Sequence, residues 1–213
     1  MKLKFIFAQY TIVFLLCNCQ GGGADGDEIT DSANFVLNYP EIREKIIKEE
    51  AKVQKIRKQR IQQGDTLAIE PEQLRDFLPK SFDGYAAEGD FVGSPYQLSG
   101  QSYANAEQDY VKGSVHIRIT LCDYNGKEAQ FAKETAYFAS GIRIDDRQVN
   151  AGSVVFPGNI KGWEIFEKIT QRAELNLAVS DRILIKIIAN NQSDTEYIKK
   201  IAQKLNLKKL SQF

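Results

Sequence analysis

Ser114-Val115-His116-Ile117-Arg118-Ile119-Thr120-Leu121-Cys122 alternates apolar and polar side chains along its length. A strand turns successive side chains to opposite faces. Val115, Ile117, Ile119 and Leu121 therefore point to a core, and His116, Arg118 and Thr120 to a face that is at least partly wet. Upstream, Gln101 to Val111 reads as a strand, and Lys112-Gly113 is a tight turn that makes the two an antiparallel hairpin. Downstream, Asp123-Tyr124-Asn125-Gly126 is a turn in which Asp and Asn bond their own backbone. Ala173 to Val179 and Arg182 to Ala189 form a second hairpin around Ser180-Asp181, and the nearly all-apolar second arm reads as a central strand. Gln148 to Phe156 and Gly162 to Thr170 are shorter strands. Residues 86–100, with their glycines and Pro95, read as loop.

Helical signals surround these strands. Pro40 opens a run without further Pro or Gly from Glu41 to Gln63, and Gly64 ends it. Ile42, Ile46, Val53 and Ile56 share one face of that helix. Its second half carries Lys52, Lys55, Arg57, Lys58 and Arg60. These read as a solvated face, with contact to acidic lipid headgroups or an acidic partner as the functional alternative. Glu70 to Leu78 and Glu128 to Ser140 are further helices. Ser193-Asp194-Thr195-Glu196 has capping-box spacing and opens a helix to about Leu205. The expected fold class is α+β: a mainly antiparallel sheet of about five to six strands with helices packed on it, preceded by a long N-terminal helix. The expected organisation is a signal over 1–19, a flexible leash over 20–38, an extended helix or spacer over 39–64 and a globular domain over 65–213.

Composition excludes several function classes. The 213 residues carry 28 basic and 28 acidic side chains, and 26 against 28 without Lys2 and Lys4, so no bulk charge draws nucleic acid. The single histidine, His116, removes zinc-peptidase spacing and Cys-His metal clusters. No Gly-x-Ser-x-Gly elbow or phosphate-loop pattern is present. No catalytic residue, no metal site and no cofactor is expected on these grounds. The ligand-binding candidates are aromatic and acidic residues near strand ends and loops: Tyr85, Tyr103, Tyr124, Trp163 and Asp123. Core packing is the competing reading for the aromatics, and a backbone turn for Asp123.

The N-terminus supplies an address. Lys2 and Lys4 precede the apolar stretch Phe5 to Leu16, which is too short for a comfortable membrane span and has the shape of a secretory signal. Leu16-Cys17-Asn18-Cys19 then leads into Gln20-Gly21-Gly22-Gly23. The Leu16-to-Cys19 spacing resembles the signal of bacterial lipoproteins, which implies that Cys19 is lipidated and becomes the new N-terminal residue. Cys17, directly behind bulky Leu16, fits less well. Acyl chains contribute about 0.8 kcal/mol per buried methylene, so two or three of them hold a chain on a membrane. The acidic residues Asp25, Asp27, Glu28 and Asp31 resemble the acidic leash of some surface-exported Bacteroidetes lipoproteins.

The rest of the chain carries spaced landmarks: Leu78-Pro79, Gly84-Tyr85, Ala106-Glu107 with Tyr110, Ile117 to Asp123, Gly162-Trp163 and Asp181-Arg182-Ile183. From about Leu74 to Leu210 these resemble an uncharacterised domain of bacterial secreted proteins and lipoproteins. The order of elements is also similar to the PsbP-like α/β sandwich of photosystem extrinsic subunits, which implies partner binding rather than catalysis. Together these readings predict a lipid-anchored protein of the bacterial cell envelope, at the outer membrane and facing the periplasm or the cell surface. It would be a non-enzymatic binding or scaffold module whose partners are the membrane, through its anchor, and an envelope protein. A small-molecule or glycan binder using aromatic loops, and a carboxylate-based hydrolase, are the alternatives.

Overall fold

The computed structural model describes residues 40–98 and 101–213; the expected signal, leash and lipidated Cys19 lie outside the described residues. Two helices, α1 (Pro40–Gln62) and α2 (Pro71–Arg75), precede strands β1 (Ser81–Phe82), β2 (Tyr85–Leu98), β3 (Gln101–Lys112) and β4 (Val115–Asp123). Helix α3 (Glu128–Thr135) follows, and then β5 (Arg143–Asp145), β6 (Val149–Phe156), β7 (Ile160–Glu167), β8 (Arg172–Val179) and β9 (Ile183–Ala189). Helices α4 (Glu196–Lys204) and α5 (Leu207–Leu210) end the chain.

All nine strands form one antiparallel sheet in the order β1-β2-β3-β4-β9-β8-β7-β6-β5. Two meanders build it. The chain runs β1 to β4 by hairpins, crosses to the far edge through α3, and returns from β5 to β9. The meanders meet at the β4–β9 seam, where Ile119 sits opposite Ile187 and Leu121 opposite Ile185.

The expected fold of five to six strands behind a long helix is therefore corrected. Among the described residues the protein is mostly sheet, with nine strands and short helices after the first. β1 and β5 have two and three residues, too few to show a period. β2 occupies most of the expected loop because the two-residue β1 pairs only with Tyr85 and Ala86, so the rest of β2 has a free outer side on which a proline such as Pro95 removes no ladder bond that the sheet needs. Gly89, at φ +68°, takes up a register shift between Glu88 and Val92. Nor does α1 stand apart. Val53 is buried, Arg57 donates to the Asn125 carbonyl at 3.1 Å and pairs with Glu128, and α1 packs along α3.

Both sheet faces are covered at the centre. One carries Ile117, Ile119, Leu121, Leu175, Leu177, Ile183, Ile185 and Ile187 against Leu74 of α2, Ile198 and Ile201 of α4 and Leu210 of α5. Each such aliphatic side chain contributes about 1.5–3 kcal/mol by leaving water. The other face carries Cys122, Leu184, Val149 and Trp163 beneath Tyr124, Phe131 and Phe138. The capping box does not form as spaced. Thr195 holds the cap position and donates its hydroxyl to Glu164, and Asp194 accepts the Glu196 amide at 2.8 Å.

Gly162 has no room for a side chain. A Cβ there would lie 2.5 Å from the Asn176 carbonyl oxygen and 2.5 Å from Leu177 Cδ2. The first contact is backbone, so β7 would have to move off β8. Gly162→Ala is expected to lower stability by about 1–3 kcal/mol through overpacking. An unchanged urea midpoint would show that the strands part easily.

Candidate functional site

The second sheet face carries a row of polar groups across four strands. Glu107 of β3 lies opposite Thr120 of β4, Thr120 opposite Lys186 of β9, and Lys186 opposite Asn176 of β8. Trp163 of β7 continues the row beyond Asn176. Period-two geometry gives this row its direction: the neighbours Leu121, Ile185 and Leu177 point into the other core. Two residues along each strand, on the same face, Asp109, Arg118 and Glu174 stand in the adjacent row.

These groups bond to one another. Glu174 is the hub. Its Oε1 takes the Lys186 ammonium at 3.2 Å and the Asn176 amide at 2.9 Å, and its Oε2 takes Arg172 at 2.8 Å. Arg172 also reaches Glu167 at 2.8 Å. Thr120 donates to Glu107 at 2.9 Å, while Arg118 grips Asp109 through Nε at 2.7 Å and Nη2 at 2.8 Å. Burial runs in a gradient along the ladder. Glu174 is 3% exposed, Lys186 5% and Asn176 8%, whereas the Arg118 side chain is 50% exposed. Tyr137 closes the dry end, edge-on to Trp163 at 5.1 Å. Burial pushes the Tyr137 hydroxyl pKa up, and the carboxylates of Glu174 and Glu134 add to the shift. At the wet end the Asp109 hydrogen bond raises the Arg118 pKa further.

A second buried ion cluster lies where β4 ends. Arg182 meets Asp123 in a bidentate pair, Nε to Oδ1 at 2.8 Å and Nη2 to Oδ2 at 2.5 Å, and its Nη1 reaches Asp65 Oδ2 at 2.8 Å. Asp123 also accepts the amides of Ile69 at 2.8 Å and Asn125 at 3.0 Å. Burial acts against the Arg182 charge, and Asp123 and then Asp65 outweigh it, so the net shift is upward. This cluster ties the 65–69 segment to the sheet. Nearby, Arg60 Nη1 is 3.3 Å from Asp181 Oδ2, at charge-pair distance but without hydrogen-bond alignment.

The structure separates the five ligand-binding candidates. Tyr85 is buried in the first core, stacked on Phe82 at 5.4 Å. Tyr103, Tyr124 and Trp163 belong to the second core. The Tyr103 hydroxyl donates to the Cys122 sulfur at 3.4 Å, and Tyr124 donates to Glu134 at 2.9 Å. Asp123 is fully enclosed by Arg182 and its turn. Four of the five are thus packed away and Tyr103 is half-buried. The residues that sequence reasoning missed are Glu174, Lys186, Asn176 and Arg172. Lys186 had a signal: it is the one charged residue in the apolar run Ile183 to Ala189.

The ladder offers donors and acceptors at fixed positions. His116 lies on the exposed surface, 3.6 Å from Glu88 and away from the buried end. Among the described residues, no three His, Cys, Asp or Glu side chains are placed to hold a metal ion. No helix among them is long and apolar enough to cross a membrane. No protein family, curated protein or solved structure matches this chain.

Proposed function

We propose that the chain is a bacterial envelope lipoprotein, acylated at Cys19, whose domain is a binding or scaffold module that meets its envelope partner where the polar network reaches water, at Glu107, Asp109 and Arg118. One observation carries the binding half. A buried ion network is commonly no more stabilising than apolar residues of the same volume. Yet the central strand β9 is apolar except where Lys186 joins Glu174. A rule of core construction broken at one place marks a site. The Leu16-to-Cys19 spacing supports the anchoring half.

The test uses the acylated protein captured from detergent-solubilised envelopes, beside its Arg118→Ala variant, which changes an exposed side chain. The wild type is expected to retain a partner that the variant loses at equal folded concentration. Identical captures from the two would remove the ladder from the function. Cys19→Ser is expected to abolish fatty-acid labelling and membrane retention, and a labelled Cys19→Ser chain would refute the anchor.

A further inference from the structure

We propose that the outward stripe of α1, made of Lys48, Lys52, Lys55 and Lys58, seats the domain on the anionic headgroups of the bilayer that holds the acyl chain; this rests on Cys19 being the anchor. From Ala51 to Gln62 the helix holds five basic residues and no acid. Two of the five turn inward, Arg57 to Glu128 and Arg60 to Asp181. Lys52, Lys55 and Lys58 are exposed, and so is Lys48 one turn earlier. At about 100° per residue, Lys48, Lys52, Lys55 and Lys58 span about 120°, and buried Val53 lies about 140° from both Lys48 and Lys58. The side of α1 that faces away from α3 is thus a cationic strip. The one described acid on it, Glu44, lies beyond Lys48 toward the N-terminal end.

Charge complementarity selects the occupant. Phosphate headgroups attract basic side chains by about fivefold in occupancy per lysine near the surface, so Lys48, Lys55 and Lys58 together act at roughly a hundredfold. The attraction fades within a Debye length of about 8 Å at physiological salt, so it needs a tether to bring the stripe close. Gln20 to Tyr39 are the twenty residues between the anchor and Pro40, a span of at most about 70 Å. A tether of that reach turns a weak surface attraction into an intramolecular one. The domain would then stand in one orientation on the leaflet.

The mature protein is reconstituted through its own acyl group into vesicles rich in phosphatidylglycerol and into pure phosphatidylcholine vesicles. Lysine acetylation rates are read by peptide mass spectrometry. Lys52, Lys55 and Lys58 are expected to react at least about fivefold more slowly on the anionic vesicles. The difference should vanish at about 1 M salt, where the Debye length is roughly 3 Å. Lys200 and Lys208, exposed near the C-terminus, should keep one rate throughout. Equal rates on both vesicles would overturn the proposal. So would slowing that persists at high salt, or slowing shared by Lys200 and Lys208. The N-terminal peptide of the same digest reports the acyl group. An unmodified Cys19 overturns the anchor, whereas equal lysine rates on an acylated chain overturn the stripe alone.

Discussion

Asp123→Ala is expected to remove about 3–5 kcal/mol of stability, because it leaves the buried Arg182 guanidinium without its bidentate partner. That loss is comparable with the whole stability of a marginal domain. Two amides left without an acceptor add to it. Arg182 keeps only Asp65, whose side chain is 35% exposed, and the Leu67 carbonyl. The Ile69 amide loses its acceptor, and so does the Asn125 amide. A buried donor without a partner costs about 1–3 kcal/mol. The segment between α1 and α2 would lose the Ile69 tie and keep those of Asp65, Leu67 and Ala68. Urea unfolding of Asp123→Ala, Arg182→Met and the double variant reads this directly. The double variant should lose less than the two single losses taken together, since neither charge is then left alone. A single-variant loss under about 1 kcal/mol would mean that the cluster is solvated and the pin is not real.

Asp123 also shows what a sequence can and cannot carry. Its bond to the Asn125 amide two residues on is local, and a turn of Asp-Tyr-Asn-Gly announces it. Its pairing with Arg182 spans 59 residues, and no periodicity encodes it. The same division holds across the sheet. The β4 alternation was readable because His116 and Arg118, in its first half, face water while Ile117 and Ile119 face the core. The β4–β9 seam and the order of the two meanders depend on which edges remain free once each hairpin has formed. β2 was hidden because its glycines and Pro95 are loop residues everywhere except on an irregular edge. The aromatic candidates failed to converge for another reason. Tyr85 and Trp163 stand on opposite faces of one sheet, and only strand order fixes which face a residue meets. Arg172, Glu174 and Asn176 alternate with Ala173, Leu175 and Leu177, so a polar side to β8 was visible. Its burial was not, because the covering residues arrive from Tyr137 and Phe138, far away in sequence.

Glu174→Leu is expected to lower stability by about 3 kcal/mol, whereas Lys186→Met should change it by about 1 kcal/mol or less. The asymmetry follows from the hub. Removing Glu174 withdraws the carboxylate from Lys186, Arg172 and Asn176 together. Removing the Lys186 charge leaves Glu174 held by Arg172 and Asn176, and Met fills a similar volume beside Ile185 and Ile187. The double variant should recover much of the Glu174→Leu loss, because one fewer buried cation is then deprived of its acid. Equal losses from the two single variants would show that the charges act as one isolated pair rather than as a ladder with a hub. The same asymmetry separates a structural role from a binding one. Lys186→Met keeps the fold and erases a charge that the apolar strand β9 would otherwise not contain. Lys186 is buried, so a folded Lys186→Met protein should still capture its partner. A folded Arg118→Ala protein that captures nothing would place recognition on the water-facing end of the network.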